Sequence, residues 1–432
     1  MRRFTRSRLG IALLVVLAAG VGVAVAVLVH GGDGSSRPTS VAAPPPRKTG
    51  QRSFLSLVIP PPAGGLPGTD VPNRIARRAR SLPLAQKVAQ MMVVGTSGTS
   101  PAAAASAVRG MDVGGMVLDG SNFQNPAQLA GLVRGVRLAA RRAHDDPPLL
   151  MAAQLGGEFR AFPALPPPDA PADLTSVEMG ASETRDAARA LDRAGLNGVL
   201  APGLDVGPAD APAVDGQAFS ESPDRVSAYA VATVRAWRRA RFLAAPGHFP
   251  GLGLANQSTD DGPAAVRESM SAVSSHDLPP FRAAIRVGVP AILLSLAAYE
   301  PEDFVTPAAL DHSIVTDLLR GQLGFHGIAI TDDLTSGAVT AIMPVPTAAV
   351  QAVQAGADMV WISGPPSLQR RCYEAILAAA RAGKISRARV DEAAIRILAV
   401  KGELGLASRP LPRVSTPAVG GVTTGQTGVP AG

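Results

Sequence analysis

Short apolar runs alternate with helical patterns along most of this chain, and this alternation limits its possible folds more than any other feature. Eight runs are predicted to be strands, at 91–95, 115–119, 149–154, 198–205, 241–247, 291–296, 328–332 and 358–363. Helices are predicted at 126–142, 177–194, 223–240, 278–287, 307–323, 347–355, 368–382 and 390–401. Eight strand–helix units over about 320 residues predict an α/β fold, a single-domain parallel (β/α)8 TIM-like barrel.

An open, doubly wound sheet would produce a similar alternation. Such sheets often carry a glycine-rich phosphate loop after a strand, of the type G-x-G-x-x-G or G-x-x-x-x-G-K, and none follows any predicted strand here. The predicted helices begin with a capping residue before proline, as at Asn125-Pro126, Ser222-Pro223 and Thr306-Pro307. The barrel is therefore the favoured interpretation.

The N-terminus carries a membrane signal. A basic tail at 1–8 precedes an uncharged stretch at 9–29, long enough to cross the ~30 Å hydrocarbon core of a bilayer. Positive charge on the leading side predicts that the tail is cytoplasmic and that the rest of the chain lies outside the cytoplasmic membrane. An uncleaved, single-pass signal-anchor is favoured, and a cleaved signal peptide is the alternative because Ala24-Val25-Ala26 resembles a cleavage site.

The remaining boundaries follow from composition. Residues 30–80 are rich in Pro, Gly, Ser and Arg and are predicted to be a disordered linker. The barrel is placed at 81–408, and residues 409–432 are predicted to be a disordered tail.

Composition excludes several classes of function. Cys372 is the only cysteine, which rules out an internal disulfide and a thiolate zinc cluster. The net charge of +7 comes almost wholly from arginines in the N-terminal tail or spread singly along helices, without interleaved aromatic residues, so no nucleic-acid partner is predicted. No histidine pair has metal-site spacing, and neither a metal nor a cofactor is predicted.

Polar residues follow several predicted strands, where a barrel places its chemistry. They are Gln154, Asp205, His248, Asp332 and Asp333. A carboxylate at such a position can be a nucleophile, a general base or a metal ligand, although it can also simply cap the next helix. A lone histidine is likewise more often structural than functional.

Two further acids, Asp260 and Asp261, lie on the loop after the fifth predicted strand. Two carboxyl groups that face each other across a sugar are the usual apparatus of glycoside cleavage.

Five motifs, in order, resemble those of family 3 glycoside hydrolases, in the branch of bacterial β-N-acetylglucosaminidases that trim cell-wall sugars. They are KVAQM at 87–91, GGMVL at 114–118, HFPG at 248–251, LPPFR at 278–282 and LGFHG at 323–327 leading into TDDL at 331–334. The resemblance covers about 82–406 and implies a barrel, a retaining double-displacement mechanism and Asp332 as the nucleophile. It also implies sugar contacts by His248, Gln154, Gln217 and Asp205.

The chain departs from the family pattern at charged positions. Gly247 stands where the family has a sugar-binding lysine, and Gln217 stands where it has an arginine. The family's acid/base histidine falls, by gapless counting, on Asp260. Each lost charge-assisted hydrogen bond is worth about 1.5–3 kcal/mol, so affinity for the family's usual substrate is expected to fall.

Two hypotheses follow. In the first, Asp332 attacks a terminal β-N-acetylglucosaminyl linkage of a cell-wall sugar, and Asp260 or Asp261 protonates the leaving oxygen, which requires burial to raise the pKa of that acid. In the second, the barrel is catalytically degraded and serves as a membrane-tethered module that binds cell-wall sugar or protein. The expected partners are a β-linked amino sugar of the cell wall and, through the N-terminal helix, the membrane.

Overall fold

The computed structural model describes residues 73–109, 111–299, 305–408 and 411–412. The predicted basic tail at 1–8, the predicted anchor at 9–29 and most of the predicted linker and C-terminal tail lie outside these residues. No helix within the described ranges is long and apolar enough to cross a membrane.

The strands of the described residues are short. They are β1 Met92–Gly95, β2 Gly115–Val117, β3 Leu149–Met151, β4 Gly198–Val199, β5 Leu243–Ala244, β6 Ala265–Val266, β7 Ala291–Leu294, β8 Ala298–Tyr299, β9 Ile328–Asp333 and β10 Met359–Ile362.

Helices lie between most of these strands. They are α1 Asn73–Ser81, α2 Leu84–Gln90, α3 Pro101–Val108, α4 Pro126–Ala143, α5 Val177–Ala194, α6 Pro223–Arg239, α7 Met270–His276, α8 Leu278–Arg286, α9 Gly337–Thr340, α10 Val345–Ala355, α11 Pro366–Arg381 and α12 Arg387–Glu403. A π-helix, Ser313–Gln322, precedes β9.

The strands form a TIM-like parallel arrangement. Six of them pair in the order β3-β2-β1-β10-β9-β7, and β4 pairs with β5. Backbone hydrogen bonds continue this order beyond the ladders, from Leu200 N to Ala152 O at 3.0 Å and from Leu293 N to Pro246 O at 2.9 Å. Parallel strands bring their carboxyl ends to one face, so the side chains that follow β4, β5 and β9 lie together.

The predicted strands at 198–205 and 241–247 shorten to two residues each. Pro202 and Pro246 lie within these two runs and have no amide hydrogen to donate to a ladder. The predicted helix at 307–323 is also different, since a 3₁₀ turn at Ala308–Leu310 precedes the π-helix.

A buried ion cluster holds the start of β9 against β10. The Asp358 carboxylate accepts hydrogen bonds from Ala329 N at 3.1 Å and from the guanidinium groups of Arg320, Arg389 and Arg396. Burial alone would raise the pKa of Asp358, but the three arginines lower it to about 2. The carboxylate is therefore ionised at neutral pH and fixes the strand whose other end carries Asp332.

The linker boundary predicted at residue 80 is wrong, because α1 already begins at Asn73. Ala79 is buried against Ala394 and Leu398 of α12. Arginines occupy the positions between the small apolar residues of α1, so one face of the helix packs while the other meets water.

Candidate active site

Three side chains, from the loops after β4 and β5 and from the end of β9, meet in one place. His248 lies between two carboxyl groups, with its Nδ1 2.8 Å from Asp205 Oδ2 and its Nε2 3.8 Å from Asp332 Oδ2. The structure thus brings together three of the residues predicted from their positions after strands.

Asp205 fixes the loop that carries His248. Its side chain is almost fully buried, and its Oδ1 accepts hydrogen bonds from His248 N at 3.0 Å and Leu252 N at 2.8 Å. Because Asp205 Oδ2 engages the Nδ1 side of the ring, the opposite nitrogen, Nε2, is directed towards Asp332.

The charge of His248 is set by its neighbours. Burial alone would lower the pKa of His248, but the Asp205 carboxylate, with smaller contributions from Asp332 and Asp260, raises it to about 9. At neutral pH the ring is therefore an imidazolium that can donate from both nitrogens.

Asp332, the penultimate residue of β9, has a partly accessible carboxyl group, and its side chain is 18% exposed. Its Oδ1 accepts a hydrogen bond from Asp333 N at 2.8 Å. Burial raises the pKa of Asp332, while His248 and the Asp333 amide oppose that shift. A carboxylate that is fixed in place yet reachable is what nucleophilic attack on a sugar requires.

The neighbouring Asp333 has a structural role. Its Oδ1 accepts hydrogen bonds from Thr335 N at 3.0 Å and Ser363 N at 3.1 Å, and its Oδ2 accepts one from Thr335 Oγ1 at 2.8 Å. Asp333 therefore fixes the turn after β9 and the start of the loop after β10, whereas the N-cap of the next helix is Ser336, so the predicted helix cap by either acid is wrong.

The loop that carries Asp260 is attached to the helix that follows Asp332. The carbonyl oxygens of Thr259 and Asp260 accept hydrogen bonds from Ala338 N at 2.9 Å and Gly337 N at 3.1 Å. The charge of Asp260 in turn raises the pKa of both His248 and Asp332. Asp260 and Asp261 are both exposed. Either acid can therefore act as a buried proton donor only when bound substrate covers it.

Gly337 permits this contact with the loop because it has no side chain. A Cβ at Gly337 would lie 2.6 Å from Asp260 O and 2.8 Å from Gly262 N. We therefore expect Gly337→Ala to displace the acidic loop and, under the hydrolase hypothesis drawn from the sequence, to lower kcat/KM for an aryl β-N-acetylglucosaminide by about 10-fold, a loss of ~1.4 kcal/mol in transition-state stabilisation.

The matched control is Gly321→Ala in the π-helix, where the nearest atom would be 3.6 Å from the new Cβ. Its kcat/KM should stay within about twofold of the parent value. Equal rates for Gly337→Ala and the parent would show that the position of the loop does not affect turnover.

Gln154 and Gln217 do not join the three central residues through any hydrogen bond among the described residues. Gln154 is 1% exposed, and its Nε2 donates to the carbonyl oxygens of Phe162, Leu165 and Pro166 while its Oε1 accepts from Phe162 N. Its amide holds the loop after β3 in place. Gln217 is half-buried, and its contact with sugar stays a prediction.

Asp277, which the sequence did not indicate as a site residue, packs against the loop that carries His248. Asp277 is buried, and burial raises its pKa to about 7 although His276 opposes the shift. A Cβ at Gly251, which has φ +138, would lie 2.5 Å from Asp277 Cβ, so only glycine fits there. Tyr299 Oη donates to Gly251 O at 2.6 Å. Asp277 directly precedes the LPPFR motif, but nothing in the sequence connects it to the histidine loop.

No group of three or more His, Cys, Asp or Glu side chains within the described ranges could hold a metal ion. Cys372 is buried in α11, where burial raises its pKa to about 11.

Comparison with known proteins identifies the family. Residues 83–400 match the family described as Glycosyl hydrolase family 3 N terminal domain. This chain belongs to glycosyl hydrolase family 3. The predicted resemblance to this family is thereby confirmed, and of the predicted (β/α)8 barrel the TIM-like parallel arrangement is confirmed.

Relatives in the family include hexosaminidases. The chain is 31% identical over 301 residues to an "Uncharacterized secreted glycosyl hydrolase" of Arthroderma benhamiae, which covers 68% of this chain and 85% of the relative. It is 34% identical over 273 residues to a "Beta-hexosaminidase" of Alkalilimnicola ehrlichii, which covers 59% of this chain and 74% of the relative.

Solved structures agree with this assignment. A family 3 β-N-acetylglucosaminidase from Paenibacillus sp. is similar with a TM-score of 0.72 and 28% identity, covering 80% of this chain and 66% of that one. A β-N-acetylhexosaminidase from Beutenbergia cavernae has a TM-score of 0.68 and 30% identity, covering 75% of this chain and 99% of that one. The family 3 chain described here is therefore β-N-acetylhexosaminidase-like.

Proposed function

We propose that the protein hydrolyses terminal β-N-acetylglucosaminyl linkages of cell-wall sugars with retention of configuration, and that Asp332 is its nucleophile. The carrying observation is the Asp205–His248–Asp332 arrangement, in which an oriented imidazolium lies 3.8 Å from a partly accessible carboxylate at a strand end. The β-N-acetylhexosaminidase relatives support the amino-sugar substrate.

The proposed reaction has two steps. Asp332 Oδ2 attacks the anomeric carbon, the glycosidic C–O bond breaks, and Asp260 or Asp261 gives its proton to the leaving oxygen. A water molecule then gives a proton to the same acid and attacks the anomeric carbon, which releases the sugar and restores the Asp332 carboxylate.

His248 supports the nucleophile by its charge. An imidazolium near the Asp332 carboxylate stabilises the ionised form of Asp332, which is the form that attacks. Asp205 supplies the buried negative charge that keeps His248 protonated.

A pH profile tests these roles. We expect kcat/KM to fall in acid as Asp332 is protonated, at a pH above the usual carboxyl value of 3.8 because burial raises the pKa of Asp332. On the alkaline side kcat/KM should fall near pH 9, where His248 loses its proton. The measurement is the initial rate of aryl β-N-acetylglucosaminide hydrolysis from pH 3 to pH 10.5, and a rate unchanged between pH 8 and pH 10.5 would contradict the role of His248.

The proposed location follows from the sequence. An anchor at 9–29 and a linker would hold the barrel outside the cytoplasmic membrane, near cell-wall sugar. Fractionation of cells that express the full chain, followed by protease treatment of intact spheroplasts, tests this. A membrane-bound barrel that added protease digests is expected, and a protected barrel would contradict the proposal.

A binding module without turnover is the second candidate, and the residue before His248 favours it. Gly247 has no side chain to grip a sugar hydroxyl. Aryl β-N-acetylglucosaminides separate the two functions, because their good leaving group tolerates a weak acid. Turnover that Asp332→Asn abolishes supports the hydrolase. Binding of a muropeptide with no turnover of any such sugar supports the module.

A further inference from the structure

A cavity of about 380 Å³ lies between α1, α12 and the segment before β3. Asp146 and Pro147 in its wall directly precede β3, and Lys401 and Gly402 belong to the last turn of α12. The candidate active-site residues instead follow the strands, so the cavity lies at the opposite end of the parallel arrangement. Ligand-binding cavities typically measure about 300–1,000 Å³, so this one is large enough for a small ligand.

The charged side chains in the wall of the cavity are mostly cationic. Arg74 and Arg78 lie one turn apart on α1, and Lys401 of α12 contributes a third positive charge. Among the described residues that line the cavity, Asp146 is the only acid, and its Oδ1 lies 2.6 Å from Arg78 Nη2. Three positive charges and one negative charge give the wall a net charge of +2.

Lys401 is buried without a counterion. It is 5% exposed, and its Nζ donates to the neutral Gln90 Oε1 at 2.6 Å but forms no ion pair with a carboxylate of the described residues. The other buried lysine in this part of the chain, Lys87, has its Nζ 2.6 Å from Asp391 Oδ1. Buried charges are normally paired, so a buried ammonium group that lines a cavity without such a partner indicates a site for an anion.

Acids near Lys401 keep it charged without pairing with it. Burial, with a smaller contribution from Arg78, lowers the pKa of Lys401 to about 8. Three nearby carboxylates, those of Asp146, Asp112 and Asp145, oppose this shift. The Asp112 carboxylate itself accepts hydrogen bonds from the side-chain amides of two glutamines, at 2.9 Å and 2.7 Å. Lys401 is therefore protonated at neutral pH, and an ammonium group has three N–H donors, of which one is used here.

We propose that this cavity binds the phosphate group of a phosphate monoester. Such a group carries a charge of about −1.5 to −2 at neutral pH, which matches the net charge of the wall. Arginine binds phosphate oxygens through its planar fork of donors, and lysine binds them as a point charge. Ile75, Leu398 and Leu406 make part of the wall apolar, which suits the organic part of the ester. The site is separate from the proposed hydrolysis, because its residues lie away from the strand ends that carry Asp332.

The test removes the positive charges of the cavity one at a time from the full chain. Lys401→Met removes the buried ammonium group and keeps a long side chain. Arg74→Gln removes a charge from an exposed residue, so it tests the site even if Lys401→Met does not fold. The matched controls are Arg77→Gln, an exposed arginine of α1 that does not line the cavity, and Lys384→Met, an exposed lysine that precedes α12.

Calorimetric titration with inorganic phosphate measures the affinity of each variant. We expect Lys401→Met to weaken phosphate binding at least about 10-fold and Arg74→Gln to weaken it at least about threefold, because each removes a charge-assisted hydrogen bond. Arg77→Gln and Lys384→Met should stay within about twofold of the parent. Equal affinities of the parent, Lys401→Met and Arg74→Gln, or no binding by the parent at phosphate concentrations up to about 10 mM, would overturn the phosphate site.

Two phosphate monoesters distinguish a lipid headgroup from a soluble phosphate ester. Glycerol 3-phosphate carries the phosphate alone, whereas dihexanoyl phosphatidic acid adds short acyl chains to the same headgroup. A lipid that binds at least about 10-fold more tightly than glycerol 3-phosphate would assign the cavity to a lipid headgroup, and equal affinities would assign it to a soluble ester. In both cases Lys401→Met must weaken the binding at least about 10-fold, and binding of either ester that Lys401→Met and Arg74→Gln leave unchanged would overturn the site.

Discussion

Replacement of Asp332 by asparagine is expected to lower kcat/KM for an aryl β-N-acetylglucosaminide by at least about 10³-fold, or ~4 kcal/mol of transition-state stabilisation. The asparagine amide has nearly the shape of the carboxyl group but cannot attack the anomeric carbon. The side chain is 18% exposed and Asp333 N donates to its Oδ1, so an amide oxygen can keep that hydrogen bond. The fold should therefore survive, which a thermal unfolding midpoint within about 3 °C of the parent would show.

The smaller variant Asp332→Ala distinguishes a nucleophile from a residue that only shapes the site. Removal of the side chain leaves room for a small external anion such as azide. We expect added azide to restore turnover and to yield a glycosyl azide of inverted, α configuration. Failure of azide to restore any turnover, with a folded protein, would argue that Asp332 acts by position alone.

Replacement of Asp205 by asparagine is expected to give the largest loss of stability. Asp205 is the main cause of the rise in the pKa of His248 from 6.5 to about 9, which corresponds to about 3 kcal/mol of preferential stabilisation of the imidazolium. The sign follows from a folded pKa above the unfolded one: the stabilisation is complete below about pH 6.5 and is lost as the pH rises through about 9. Urea unfolding at pH 6 should therefore show Asp205→Asn less stable by about 3 kcal/mol.

Urea unfolding of Asp205→Asn and the parent at pH 10 is an internal control. The difference between Asp205→Asn and the parent should shrink there, because the asparagine Oδ1 can still accept the hydrogen bonds from His248 N and Leu252 N. Asp210→Asn, an exposed acid in the same loop, is the matched control and should stay within about 0.5 kcal/mol of the parent. A destabilisation by Asp205→Asn that is equal at pH 6 and pH 10 would contradict the ion pair.

The strand-end rule explains why much of this site was predictable from sequence. In a parallel arrangement the residues after the strands share one face, and this alone grouped Asp205, His248 and Asp332. Periodicity could also separate strands from helices, because the two elements repeat their buried positions at different intervals. Neither rule predicts the path of a loop.

The features of the site that the sequence could not predict depend on the paths of loops and on long-range contacts. The loop after β3 folds back and surrounds the Gln154 amide with backbone carbonyls, which no sequence pattern indicated, and the sugar contact of Gln154 stays a prediction. Asp277 supports the histidine loop across a tertiary contact with Gly251 that no local pattern encodes. The attachment of the Asp260 loop to Gly337 likewise exists only once β9 and the loop after β5 are adjacent.

A covalent ester between the sugar and Asp332 is the intermediate of a retaining mechanism, and its detection is the most direct measurement. A 5-fluoro-N-acetylglucosaminyl fluoride reacts quickly in the first step and slowly in the second, so the ester accumulates. Intact-protein and peptide mass spectrometry should find one fluorosugar on the peptide that contains Asp332, and none on Asp332→Asn. Turnover without any adduct, or an adduct on a different residue, would contradict Asp332 as the nucleophile.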